Sequence, residues 1–305
     1  MSQDPELSDT SDFPVDPSFR GEWPDFGSVQ AQVEMAAMSN RGLQRPENED
    51  HFLTVRAGRW LEAVETSLVH SGARKRTEEI AYGLLVADGL GGAVGGELAS
   101  RTALNMLVHL VLHTPDWIFH FGDVELKEVM RRHRERFRRI QEALVDFGRD
   151  DPSLREMGTT LTTACSLGKV AMIGHIGDSR AYLLRNGRMM QLTRDHTYVQ
   201  GLVDAGQLSP EDAADHPWRH VLSRTLGGGG DQSDADFQRI DLADGDQLML
   251  CTDGLTNMVL DGDIAAILCL DVSAAEACQR LIDEANRNGG FDNITVALAR
   301  YKFPQ

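Results

Sequence analysis

A chain of 305 residues, 41% hydrophobic and 25% charged, has ample material for one large folded domain or two modest ones. Its formal net charge of -17 argues against nucleic acid as a partner, because phosphate backbones select basic surfaces, and suits a site that collects cations. The four cysteines, Cys165, Cys251, Cys269 and Cys278, form no C-x-x-C pair and read as buried thiols of a reducing compartment.

Residues 1–30 are rich in Asp, Pro and Ser, lack apolar periodicity and read as an acidic, disordered N-terminal extension. They contain no basic n-region followed by an apolar core, so a secretory leader is not expected and a cytoplasmic location is. Residues 31–305 read as a single domain. "VQAQVEMAAMSN" alternates as a strand, and "DHFLTVRAGRWLEAVET" alternates through two strand-like pieces around a Gly turn. "SGARKRTEE" is a polar loop, and "IAYGLLVADG" is a continuous apolar strand ending at Asp88. "ELASRTALNMLVHLVLH" predicts an apolar-faced helix too short and too interrupted to enter a membrane. His109 and His113 within it read as packing residues. In residues 122–148, Met130, His133, Phe137, Ile140, Leu144 and Phe147 recur at three and four, the single stripe of a second helix.

From 158 to 193 the chain predicts a run of strands, "TTLTTACSL", "VAMIGHIGD", "AYLLRNG" and "RMMQL", with Asn-Gly as a strong hairpin signal. Residues 197–222 mix helix and loop, broken at Pro210 and Pro217. "DQLMLCTDGL" is an apolar strand ending on Asp253, 272–287 is helical, and "DNITVALARY" is a last strand. Strand runs with paired helices, and no regular alternation of the two, predict an α+β layered architecture of antiparallel sheets with helices packed outside.

Three Asp residues stand at the ends of apolar strands: Asp88, Asp253 and Asp292. A rigid scaffold presents strand-end side chains to one common cleft. The adjacent Glu49 and Asp50, just after Arg45, bring the carboxylates to five. Carboxylates sharing a cleft need a counter-charge, and hard oxygen ligands suit Mg²⁺ or Mn²⁺ over zinc. A single Asp-Gly, such as Asp88-Gly89 or Asp253-Gly254, is usually no more than a turn, so the set of five carboxylates is weighed together with the segments that carry them.

In chain order, "RPENED", "VADGLGG", "GTTLTTA", "IGDSRAYLLRNG", "LTRDHT", "LGGG", "LCTDGLTN" and "DNITV" resemble the metal-dependent Ser/Thr protein phosphatases, the PPM or type 2C family, over roughly residues 33–301. The bacterial branch is the nearer likeness, since 197–222 resembles its flap. The resemblance implies two antiparallel β-sheets packed face to face with helix pairs outside, an α-β-β-α sandwich. It implies two Mn²⁺ or Mg²⁺ ions: Asp88 bridging them with the Gly89 carbonyl on one, Asp253 and Asp292 completing the other. Glu49 would act through a metal-bound water with Asp50 supporting that shell, Asp178 would hold a third ion, and Arg45 would grip the phosphate. Thr160 would line the site and Asn293 stand beside Asp292. The implied activity is hydrolysis of phosphoserine and phosphothreonine in substrates of a bacterial-type Ser/Thr kinase. A phosphatase of small phosphate esters and a catalytically silent phosphoprotein-binding domain are the competing expectations.

Two positions depart from the family. Leu90 stands where some members carry a His, and Ala93 where many bacterial members carry one, so the leaving-group proton has another source, with His51 a candidate. The Gly-rich "GLGGAVGGELAS" lacks the Lys-Ser/Thr of a nucleotide loop. The basic run "RRHRERFRR" reads as a solvated helix face, with a docking surface for acidic partners as its lesser reading.

Overall fold

The structure is a computed structural model that describes residues 31–62, 64, 76–113, 123–228 and 234–304. The expected N-terminal extension lies outside the described residues. In chain order the strands and helices are β1 (Gln32–Asn40), β2 (His51–Glu62), β3 (Arg76–Ala87), β4 (Gly89–Leu90), α1 (Ala93–Leu112), α2 (Asp123–Asp150), β5 (Gly158–Thr159), β6 (Leu161–Leu167), β7 (Val170–Ile176), β8 (Arg180–Arg185) and β9 (Arg188–Gln191). They continue with α3 (Tyr198–Asp204), α4 (Pro210–Ala214), β10 (Leu226–Gly227), β11 (Asp236–Asp241), β12 (Gln247–Cys251), α5 (Asp253–Thr256), α6 (Asp261–Leu268), α7 (Ala274–Arg287) and β13 (Ile294–Lys302).

Two five-stranded antiparallel sheets form, in the orders β1-β13-β12-β8-β9 and β11-β7-β6-β3-β2. Alternation at period two gives each sheet an inner and an outer face. Leu84, Val86, Ala164 and Ile173 of one sheet meet Ala181, Leu183, Leu248, Leu250 and Ala297 of the other in the middle layer. The intervening residues face outward: Leu85, Ala87, Leu161 and Ile176 pack under α1 and α2. Tyr182, Met249, Val296 and Leu298 do the same under α6 and α7. The result is the expected α-β-β-α sandwich, with each fully buried Leu contributing about 1.5–3 kcal/mol.

Several local expectations change. Gly58 is no turn: β2 runs straight through it, because β3 pairs with all twelve residues of β2 and places Gly58 opposite Ile80. That pairing also draws Arg76–Glu79, read as polar loop, into β3. Asp253 opens the short helix α5 and does not end a strand. Phe147 of the α2 stripe is 42% exposed and does not join the core with Phe137, Ile140 and Leu144. His109 and His113 stack on each other at the surface, with ring centroids 4.0 Å apart, and do not pack into the core. Cys269 is exposed and Cys165 half-buried, while Cys251 and Cys278 are buried. The Asn186-Gly187 hairpin forms as read, both residues taking positive φ (52° and 75°) between β8 and β9. No described helix is long and apolar enough to cross a membrane.

Candidate metal and phosphate site

The ends of both sheets and the start of α5 form one acidic cleft. Asp88 follows β3, Asp178 follows β7, Asp253 begins α5, Asp292 precedes β13, and Glu49 and Asp50 precede β2. The mutual electrostatics show how close they stand. Burial, followed by the charges of Asp50, Asp253, Asp178 and Asp292, holds the Asp88 carboxyl well above its ordinary range. Asp178 is raised by burial and then by Asp253 and Asp195. Glu49 is raised first by burial, against an opposing pull from Arg45.

Asp50 is the most constrained member, only 5% exposed. Its Oδ2 accepts hydrogen bonds from Thr252 Oγ1 at 2.8 Å and Thr295 Oγ1 at 2.7 Å. Its Oδ1 is buried without any partner. Burial pushes this carboxyl up to about 7, with the two threonine hydroxyls pulling the other way. A buried oxygen that accepts nothing is costly to leave unmet, and it is what a hydrated cation on that side would satisfy.

Backbone contacts fix the rest. Asp88 N–H donates to Thr160 Oγ1 at 3.0 Å, and the Asp88 carbonyl accepts from Thr160 N–H at 2.9 Å and Thr159 Oγ1 at 2.8 Å. Thr160 is fully buried and bonded to Ser179 Oγ, so it holds the Asp88 backbone and does not line the cleft, contrary to the expectation above. Asn293 Oδ1 accepts from Glu49 N–H at 2.8 Å, and its Nδ2 donates to the carbonyls of Arg41 and Glu47. One amide therefore pins the turn bearing Glu49 to the strand bearing Asp292. Gly254 is needed here: a Cβ on it would stand 2.0 Å from the Asn293 carbonyl oxygen. Gly89 is equally enclosed, with the Gly96 carbonyl oxygen 2.2 Å from where its Cβ would be.

Arg45 stands on the rim, 53% exposed, with Nη2 donating to Asp292 Oδ2 at 2.7 Å. That hydrogen bond, and behind it the charges of Asp292, Asp88 and Glu49, raise its already high pKa. Leu90 is half-buried and has no proton to give. His51 is half-buried beside α1, with Nδ1 2.9 Å from Ser100 Oγ, and burial lowers its pKa. From the flap segment, His220 Nδ1 comes within 3.8 Å of Asp253 Oδ2, and an isolated bridge between Thr197 and Leu222 closes that segment at its base.

Every carboxylate singled out in the sequence thus reaches the cleft, as do Arg45 and Asn293. Among the described residues, no three His, Cys, Asp or Glu side chains form a ready-made ion cage. Mg²⁺ keeps several waters and needs few protein oxygens, so an all-oxygen cleft with mutually raised carboxyls and one orphaned buried oxygen fits hydrated divalent ions. Thr252 and Thr295 were missed in the sequence. Their signal is a hydroxyl within or just after an apolar strand, one residue before Asp253 or three after Asp292.

A family profile described as protein phosphatase 2C matches residues 71–299. The serine/threonine protein phosphatase PstP of Mycobacterium tuberculosis is 36% identical over 271 residues, which are 89% of this chain and 45% of that protein. The chain thus spans about half the length of this relative. The protein phosphatase PhpP of Streptococcus pneumoniae is 32% identical over 277 residues, 87% of this chain and 96% of that protein. Among solved structures, the mycobacterial PstP/Ppp superposes with a TM-score of 0.70 at 35% identity, covering 88% of this chain and 99% of that one. The PstP catalytic domain in complex with two manganese ions superposes at 0.68 with 32% identity, covering 90% of this chain and all of that one.

Proposed function

Because the chain belongs to the protein phosphatase 2C family, we propose that it is a divalent-metal-dependent protein phosphatase acting on phosphoserine and phosphothreonine. The observation that carries this reading is the gathering of six carboxylates around one cleft with a guanidinium on its rim, a place for cations and an anion together.

In this reading Asp88, with the Gly89 carbonyl, and Asp253 and Asp292 hold two Mn²⁺ or Mg²⁺ ions, and Asp178 contributes to a third. Bound there, the ions supply Lewis-acid charge that ionises water near neutral pH and offsets charge on the phosphoryl oxygens. Glu49 orients water on the cleft side, and Asp50, held in place by Thr252 and Thr295, supports that shell from beneath. Arg45 binds the phosphate. Its bond to Asp292 is an exposed pair worth about 0–1 kcal/mol, so an incoming phosphate competes easily for the planar, bidentate guanidinium. Leu90 supplies no proton and His51 is held by Ser100 and disfavoured by burial, so solvent protonates the departing Ser or Thr oxygen. The substrates are proteins phosphorylated by a bacterial-type Ser/Thr kinase, in the cytoplasm.

The test is hydrolysis of a phosphothreonine peptide with Mn²⁺, with Mg²⁺ and after EDTA. Activity should vanish with EDTA and return with either ion, and Asp88→Asn should abolish it while the fold persists, since a lost charge relieves repulsion. Full turnover in excess EDTA removes the reading, and turnover of aryl phosphate without any peptide activity makes the protein a small-ester phosphatase.

A further inference from the structure

Along the outer face of the β2-β3-β6 sheet, α1 and α2 do not close fully onto the strands. Between them and β2, β3 and β6 lies a cavity of about 330 Å³. Its walls are apolar, among them Leu53, Val55, Leu85, Leu107, Val111 and Met172. A second space of about 420 Å³ runs along the outside of the same two helices, lined by His109, His113, Arg131, Arg132, Arg136 and Arg139, with Glu135. Arg132 and Arg136 line both, so the apolar cavity and the basic groove adjoin at these two side chains.

The basic helix is not uniformly a solvated face. Glu128 pairs with Arg131 and Arg132, and Glu135 with Arg138 and Arg139. Among the described residues Arg136 has no acidic partner; the groups that act on it or that it acts on are Cys165, Arg132 and His133. Burial lowers its pKa, the mark of a cation short of solvent and short of a counter-ion. Such a group beside an apolar void is unfavourable in the empty protein and complementary to an anion that brings its own apolar body.

We propose that cavity and groove together bind an anionic amphiphile, a long-chain carboxylate whose acyl chain fills the space under α1 and α2 and whose headgroup pairs with Arg136. Size supports the class. A cavity of about 150 Å³ takes a six-carbon ring, so this one takes a chain of about a dozen carbons. Charge supports it too: in a protein of net charge -17 the site is lined by cations, with a single acid, Glu135. His133, also in the wall, donates its Nδ1–H to the Val129 carbonyl at 2.9 Å and is neutral at neutral pH, burial having pushed it down to about 4, so it leaves the headgroup charge to Arg136.

Calorimetric titration of the full chain with monomeric dodecanoate tests this, with dodecanol and dodecyltrimethylammonium as headgroup controls. Dodecanoate should bind at least about tenfold more tightly than either, the value of one charge-assisted hydrogen bond. Arg136→Leu should abolish that preference while keeping or raising the melting temperature, because it removes an unpaired buried charge. Val111→Trp, which fills the cavity from α1, should block the chain without touching the cations. Equal binding of dodecanol, unchanged affinity in both variants, or no uptake of dodecanoate each overturns the proposal. So does adhesion to phosphatidylglycerol vesicles without binding of the monomeric acid, which makes the basic groove a bilayer contact.

Discussion

Gly254→Ala should be more damaging than its chemistry suggests. The residue lies in α5, where Ala is favoured over Gly by about 1 kcal/mol, and no left-handed φ stands against the change. Space does. The new Cβ would sit 2.0 Å from the Asn293 carbonyl oxygen, 2.9 Å from its carbon and 3.4 Å from Asp292 Cβ. Contacts of a Cβ below 3.0 Å are essentially never found, so the two backbones must part by at least 3.0 - 2.0 = 1.0 Å. The part that yields is the turn carrying Asp292 and Asn293, whose amide holds Glu49 N–H. One residue thus separates Asp253 from Asp292 and loosens Glu49. A displacement of about 1 Å in a positioned site costs about 10²-fold in rate, equivalent to about 2.7 kcal/mol of barrier. The assay is kcat/KM on a phosphothreonine peptide across a Mn²⁺ titration, with urea unfolding in parallel. A fall of about 10² with a weakened Mn²⁺ dependence is expected. Undiminished turnover in a variant that is also more stable would refute the reasoning.

Thr295→Val leaves Asp50 Oδ2 with the Thr252 hydroxyl alone; losing a charge-assisted hydrogen bond should move the acid limb of the rate profile up by about one pH unit, and an unmoved limb would deny Asp50 any part in it. Burial, with a lesser push from His196, holds His175 down to about 3, against about 6.5 unfolded. Between those values the unfolded chain binds the extra proton, so this contribution is complete above pH 6.5 and is lost as pH falls, by about 1.4 kcal/mol between pH 7.5 and 5.5. Asp50, raised by burial, opposes that trend, so the check is the difference in urea midpoint slope with pH between wild type and His175→Asn; identical slopes would exclude it. Leu90→His should raise peptide hydrolysis selectively over aryl phosphate, toward the about 10²–10⁴-fold of a positioned general acid, and a fixed substrate ratio would place position 90 away from the leaving oxygen.

The placement of Asp88, Asp253 and Asp292 was legible because each borders an apolar strand, and apolar strands are buried centrally with ends converging on one edge. The four-layer fold was legible for the same reason, from continuous apolar runs flanked by amphipathic helices. What escaped depends on partners distant in the chain. Gly58 looks like a turn until β3 is seen to pair through it. Thr295 and Thr252 look like ordinary β-branched strand residues until Asp50, 245 and 202 residues away, takes both hydroxyls. The cavity under α1 and α2 left no trace, because a void reflects how two helices sit on a sheet and no residue type announces it.

The strand order carries a consequence for how the molecule is made. β1 is translated first among the described strands, and its only neighbour in the sheet is β13, the last: Gln32 pairs with Lys302, 302 - 32 = 270 residues later. At about 5–20 residues per second, the first strand waits on the order of 15–50 s on the ribosome with an unpaired edge. β13 also carries the turn of Asp292 and Asn293 and the hydroxyl that locks Asp50. The last strand to emerge therefore both closes the sheet and completes the acidic cleft, so a nascent or truncated chain lacking it has neither, and cation binding can begin only once synthesis has reached that strand.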